Sequence, residues 1–272
     1  MKNISNGPFV TNGLAFLHDN NFLEKQRVAG KVVAKCLNHL EQRVKDKTQL
    51  TLKQLSQEAE QIILENNCAP TFKNYKGFPE SVCISINKQL VHGIPTDYKL
   101  QEGDLVSFDL GATFENAIAD SAITIIYGEP KSERDVKLIQ STEECLYKAI
   151  ESIKVGNKIG CIGNAIFKHA KNNGFNVIEN YGGHGIGLTK DGEGLAHAFP
   201  FISNKSNADE GIRIVPGLSI AIEPLLTYGS NKTKILDDNW TVTTENNNSH
   251  FEHTLFIHED YVEIITDRSY EK

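Results

Sequence analysis

The 272-residue sequence predicts a mixed α/β (α+β) fold built from two similar halves. Three observations carry that expectation. Apolar residues recur at helical spacing in four segments, two in each half of the chain. Each helical pair is followed by segments in which apolar and polar residues alternate, the period of a strand. The second round also echoes the first in detail, because Gly103 stands six residues before Asp109 and Gly217 six residues before Glu223. No Gly/Ser/Pro-rich linker divides the halves. Residues 1–272 are therefore expected to form a single domain, with residues 1–20 as a flexible N-terminal extension.

Val28, Val32, Val33, Cys36, Leu37 and Leu40 mark the first helix, over about residues 24–44. Thr51 and Gln54 form a capping-box pair opening a second helix through Leu52, Leu55, Ala59, Ile62 and Ile63, which ends near Asn67. The period then changes. Residues 82–86 and 89–92 read as strands around a turn at Asn87 and Lys88, and residues 93–95 as a bend. Residues 106–111 and a second segment reaching about Tyr127 read as adjacent antiparallel strands joined by a polar turn around Glu115 and Asn116. Helical spacing returns over residues 133–153 and 158–173, the latter closed by Gly174 as a left-handed cap. The Gly-, Asn- and Asp-rich stretch between His184 and Pro216 is expected to be loop. Residues 240–243, 255–257 and 262–265 read as an antiparallel tail of strands, with Glu252 at the start of one.

Asp109 and Asp120 lie eleven positions apart in the paired strands, so their carboxylates face one spot. Three more ligand-type residues stand in Gly- or strand-rich contexts: His184 in Gly-Gly-His-Gly-Ile-Gly, Glu223 in Ala-Ile-Glu-Pro and Glu252 in Phe-Glu-His-Thr. Four carboxylates converging in a partly buried site repel one another unless cations neutralise them. One imidazole among hard oxygen donors suits Mn²⁺, Fe²⁺, Co²⁺ or Zn²⁺, and the excess of carboxylates favours two ions over one.

Composition narrows the field. The net charge of −7 gives no basic surface to recruit nucleic acid or an anionic membrane. Five scattered cysteines without a C-x-x-C pair argue against a disulfide framework and a zinc ribbon, and fit a reducing cytoplasm. Neither a signal peptide nor an apolar run of about 18 residues is present, so no membrane span is expected.

Assembled in order, these motifs resemble the methionine aminopeptidases of the pita-bread fold, specifically the type I class lacking a zinc-finger extension. Residues 81–87 followed by His92-Gly-Ile-Pro95, the Asp109/Asp120 spacing, Gly183-His-Gly-Ile-Gly187, Ile222-Glu-Pro224, Trp240-Thr-Val242 and Phe251-Glu-His-Thr254 carry the likeness, over residues 27–266. It implies a curved antiparallel sheet covered by helices, with two pseudo-symmetric halves. It also implies two divalent metal ions, with Asp109 on one, Asp120 and Glu252 shared, and His184 and Glu223 completing the set. By the same likeness Glu223 is the general base, His92 contacts the scissile amide and His197 stabilises the tetrahedral intermediate. Tyr75, Phe78, Cys83, Phe251 and Trp240 would line the methionine pocket. The remaining six histidines are read as surface or packing residues, with His253 supporting Glu252 or the core.

The implied activity is removal of the initiator methionine from nascent polypeptides whose second residue is small, by a cytoplasmic monomer. Ribosome association is a family expectation with no local motif behind it. Two alternatives share the fold: an Xaa-Pro dipeptidase, which usually carries an extra N-terminal domain, and a non-catalytic binding protein, which usually loses ligands. The chain departs from the family pattern after His184. Residues 188–196 are inserted, so that His197 falls thirteen residues beyond His184, and Ala198-Phe199-Pro200 replaces the usual acidic pair and proline. Ala196 stands where an aromatic is usual. The inserted Gly-rich residues are expected to form a mobile lid.

Overall fold

The computed structural model describes residues 15–189 and 191–271. Its first half contains helices α1 (Asn20–Lys45) and α2 (Leu52–Glu65), then strands β1 (Ala69–Pro70), β2 (Val82–Ile86), β3 (Gln89–Val91), β4 (Asp104–Phe114) and β5 (Ala117–Tyr127). Helices α3 (Glu133–Ser152) and α4 (Gly160–Asn172) open the second half. Strands β6 (Asn176–Val177), β7 (Gly182–Leu188), β8 (Gly194–Ser203), β9 (Ser219–Ile222) and β10 (Leu225–Thr227) follow. The chain continues through β11 (Lys234–Ile235), β12 (Val242–Thr243), β13 (Asn248–His250), β14 (Glu252–Ile257) and β15 (Val262–Ile264).

Local chemistry sets the helix boundaries. The Asp19 side chain accepts from the Phe22 amide to start α1, and Thr51 with Gln54 makes both hydrogen bonds of the capping box on α2. Ser132 caps α3 through the Arg134 amide. After α4 the chain turns at Gly174, whose φ of 79° is in the left-handed region. One face of α1, through Ala29, Val33, Cys36, Leu37 and Leu40, is wholly buried, and α1 packs on β4 and β5. Each large aliphatic side chain so buried contributes about 2 kcal/mol.

The helices cover a curled antiparallel sheet, a half-barrel with strand order β1-β4-β5-β14-β9-β7-β8. β2 also pairs with β4, and β15 with β14. The expected two halves are visible in the hydrogen bonding. The Gly103 amide donates to the Tyr127 carbonyl at 2.7 Å, and the Gly217 amide to the Ile257 carbonyl at 2.8 Å. Both glycines have positive φ, 76° and 88°. Thus β4–β5 and β9–β14 are equivalent hairpin-like units, joined in the middle where β5 pairs with β14.

Two expectations need correction. The stretch after His184 is not simply loop: residues 194–203 form β8, which pairs with β7 and lengthens the sheet. Within the insertion, the Thr189 amide donates to the Glu193 carbonyl at 2.7 Å to close the turn, and Asn116 Nδ2 donates to the Gly192 carbonyl at 3.3 Å. The inserted residues therefore extend a hairpin whose tip rests on the β4–β5 turn, where a free lid was expected. The predicted flexible extension falls for residues 1–14 outside the described residues. From Ala15 onward the chain is packed. Ala15 is fully buried, and the His18 amide donates to the Gly217 carbonyl.

Candidate active site

Strand register alone brings the acidic residues together. In β4–β5 Asp109 lies opposite Ala122 and Gly111 opposite Asp120, so the two aspartates are diagonal neighbours on one face. Ala122 also pairs with Glu252 on β14, which adds a third carboxylate to that face. His253 pairs with Ile222, so Glu223, one residue beyond β9, falls level with Glu252. His184 pairs with Ala221, two residues before Glu223 and of the same parity. All five residues therefore face the concave side of the sheet, at the floor of a cavity of about 540 Å³.

Donor atoms of Asp120, His184 and Glu252 all lie within 4.8 Å of one another. His184 Nε2 is 3.6 Å from Asp120 Oδ2 and 3.9 Å from Glu252 Oε1. Its Nδ1 is 3.2 Å from the Gly185 carbonyl, a contact that directs the proton to Nδ1 and leaves Nε2 free to bind a cation. Thr254 Oγ1 holds Asp120, donating toward Oδ1 at 2.9 Å. Asp109 and Glu223 line the same cavity beside this trio.

The site is short of positive charge. Burial pushes the Asp109 carboxyl up to about 7, against the pull of His250, with Glu223 and Asp120 adding to the rise. Burial and the neighbouring carboxylates also hold Glu252 well above the ordinary range, and burial raises Asp120. Asp109 Oδ1 is buried without a hydrogen-bond partner. An orphaned carboxylate oxygen beside a tight Asp–His–Glu trio fits divalent metal ions, which would satisfy the oxygen and offset the repulsion.

Glu223 is different. Burial alone would raise its carboxyl, but His250, His184 and His197 outweigh burial and hold it below the usual carboxylate value. His250, which the sequence pattern leaves among the packing histidines, stands against Glu223. Its side chain is 2% exposed and its Nε2 is 3.4 Å from Glu223 Oε2, a close contact that lacks hydrogen-bond alignment. Nδ1 has no hydrogen-bond partner either. Burial disfavours a charged imidazole, but Glu223, Asp109 and Asp120 prevail and hold His250 above its ordinary value.

The cavity walls contain most of the expected substrate-handling residues. His92, His197, Tyr75, Phe78, Cys83 and Trp240 all line it. Phe72, Phe78 and Cys83 form a buried apolar cluster with Ile94 and Trp240, and the Trp240 and Phe78 rings meet edge to face at 5.2 Å. Phe72 was not anticipated. His92 sits at φ 58°, a left-handed conformation costly for a non-glycine residue, and its ring meets Trp240 and Tyr181 edge-on. Its pKa is lowered by burial, so the ring is neutral at pH 7. His197 reaches solvent at its edge but is walled by protein, which pushes its pKa down to about 4, with His184 contributing. Tyr75 Oη lies 3.2 Å from His197 Nδ1.

Phe251 is a correction. It lies outside the cavity and packs into the main core on the opposite side of the sheet. The reason is strand parity: Glu252 faces the cavity, so its immediate neighbour faces the helices. His253 also turns away, into the core, where Nδ1 is 2.9 Å from Thr266 Oγ1.

The sequence profile of metallopeptidase family M24 matches residues 24–259. The methionine aminopeptidase of Mycoplasma capricolum is 42% identical over 246 residues, 90% of this chain and 95% of that protein. The methionine aminopeptidase 1 of Bacillus subtilis is 40% identical over 242 residues, 88% of this chain and 94% of that protein. Among solved structures, the methionine aminopeptidase of Rickettsia prowazekii superposes with a TM-score of 0.87 at 32% identity, covering 93% of this chain and all of that one. The prolidase of Pyrococcus furiosus shares the fold, with a TM-score of 0.69 at 20% identity, and this chain covers 65% of it. With four carboxylates and an imidazole gathered on one face of a curled sheet, and with matches spanning most of its length, the chain belongs to metallopeptidase family M24.

Proposed function

We propose that this protein removes the N-terminal methionine from newly made polypeptides whose second residue is small, using two divalent ions drawn from Mn²⁺, Fe²⁺, Co²⁺ and Zn²⁺. The observation that carries the reading is the Asp120–His184–Glu252 trio on the floor of a cavity that ends in a closed apolar pocket. Asp109, Asp120, His184, Glu223 and Glu252 would hold the ions, since four carboxylates carry more negative charge than one divalent ion offsets. When bound, such ions polarise the scissile carbonyl and make a water acidic enough to act as a nucleophile near neutral pH.

The chain's own residues supply the rest. Glu223, kept ionised by its histidine neighbours, takes a proton at its carboxylate and passes it to the leaving amine. Neutral His92 donates a hydrogen bond toward the scissile amide, and His197 supports the oxygen that gains charge from the opposite wall. Phe72, Phe78, Cys83 and Trp240 surround the methionine side chain, whose thioether gains by contact with aromatic rings and sulfur. No helix among the described residues is long and apolar enough to cross a membrane. We place the protein in the cytoplasm, working on chains as they leave the ribosome.

The test is release of the N-terminal amino acid from Met-Ala-Ser, Met-Lys-Ser and Ala-Pro-Ser by chelator-treated protein with each metal restored. Metal-dependent cleavage of Met-Ala-Ser alone, lost in Asp109→Asn, is the expected result. Cleavage of Ala-Pro-Ser instead would assign an Xaa-Pro peptidase, and silence on all three with every metal would refute hydrolysis.

A further inference from the structure

The two ends of the cavity differ. At one end Phe72, Phe78 and Cys83 are almost completely buried, forming a closed pocket beside β2. At the other end β8, the last strand of the sheet, presents an open face. Its residues alternate: Ala196, Ala198, Pro200 and Ile202 are buried, while His197, Phe199 and Phe201 are exposed. Phe199 is 42% and Phe201 55% exposed, yet both line the same cavity as the five acidic and histidine ligands. Phe201 is the direct ladder partner of His184, so their side chains leave the sheet on the same face. The His197 ring lies 4.5 Å from that of His184. An aromatic strip thus runs along the exposed wall beside the floor, from His197, whose ring meets Tyr75, to Phe201 level with His184.

We infer that Phe199 and Phe201 form a subsite for the part of the substrate that leaves, binding a large apolar side chain at the third residue of the polypeptide. The inference rests on the proposed aminopeptidase reading. Methionine in the closed pocket puts the scissile bond over the metal-binding floor, so the remaining chain must run toward the open end. An extended peptide advances about 3.4 Å per residue, and directly paired side chains begin about 5 Å apart, so Phe201 lies within one or two residues of a bond held beside His184. Exposed aromatic rings in a cleft gain by covering apolar side chains and give little to polar ones. The strip is continuous with the catalytic cavity, which argues for the substrate as its occupant over a second copy of the chain.

The experiment compares Met-Ala-Ser-Gly with Met-Ala-Phe-Gly and Met-Ala-Leu-Gly, on metal-loaded wild type, Phe201→Ser and the Phe199→Ser/Phe201→Ser double variant. Wild type is expected to favour the Phe and Leu peptides by about fivefold to tenfold in kcat/KM, carried by KM. In the double variant that ratio should fall to about one, and Phe201→Ser should lie between; the ratio within each protein is the readout. Equal use of all three peptides by wild type overturns the inference while leaving methionine release intact. A preference that survives both substitutions also overturns it. Absence of preference together with dimerisation that the double variant abolishes would assign the face to a second copy. Failure to cleave any of these peptides would refute the aminopeptidase reading and the subsite together.

Discussion

His250 stands two residues before Glu252, and that interval decides where its ring goes. Residues separated by two in extended chain point to the same side, so the His250 ring falls on the Glu252 side of the chain, buried and outside the cavity lining. It arrives against Glu223, with its ring nitrogens otherwise unpartnered. An outer partner packed against a metal-binding carboxylate typically accounts for tenfold or more in metal affinity. His250→Ala is therefore expected to weaken Mn²⁺ binding by about tenfold in titration calorimetry, with His250→Gln, which keeps an N–H, recovering most of it. Unchanged affinity in the alanine variant would show the contact to be incidental. The same parity rule explains what the sequence made legible at this scale. The five acidic and imidazole residues were readable because each stands in a glycine-rich or strand-patterned motif. Phe251 was misassigned because motif position was followed against parity, and His250 was missed because nothing beside it marks a site; counting by twos from Glu252 corrects both.

At the level of elements, all four helices and the β4–β5 hairpin could be read from periodicity and caps, within a few residues of their observed limits. The β7–β8 hairpin could not. Its glycines read as loop, but several are there because another backbone comes too close for a side chain. At Gly185 an added Cβ would collide with the carbonyl oxygen of Phe199 on β8. That carbonyl is main chain and cannot rotate away, so the strand itself must move. Gly185→Ala is expected to lower stability by about 2 kcal/mol, seen as a lower urea midpoint with an unchanged slope. Wild-type stability would mean that β8 yields readily. Since Gly185 follows His184 and its carbonyl engages His184 Nδ1, the variant should also bind metal less well.

For the whole molecule, two equivalent halves close on one patch of carboxylates, and the fold tolerates that patch at the expense of its metal-free stability. Asp109 has its carboxyl pushed up to about 7, from an ordinary value near 3.8, and Glu252 lies well above its ordinary value. The folded, metal-free protein therefore binds protons more tightly than the unfolded chain. By linkage, stability then falls as pH rises between the unfolded and folded pKa values. His250, also raised, acts in the same direction. His18, His92, His197 and His253 are lowered and act oppositely, but only below their ordinary value of about 6.5, above which their contribution is constant. The carboxylates paired with basic groups, such as Glu263 with Arg27, have lowered values and matter only in acid. Between about pH 6.5 and 8 the crowded carboxylates thus decide the slope. Chelator-treated protein is expected to melt at progressively lower temperature across that window. Protein loaded with Mn²⁺, whose ions keep the carboxylates ionised at both ends of it, should gain more over the metal-free form at pH 8 than at pH 6.5. Parallel melting curves with and without metal at the two pH values would mean that these carboxylates are not what the metal neutralises.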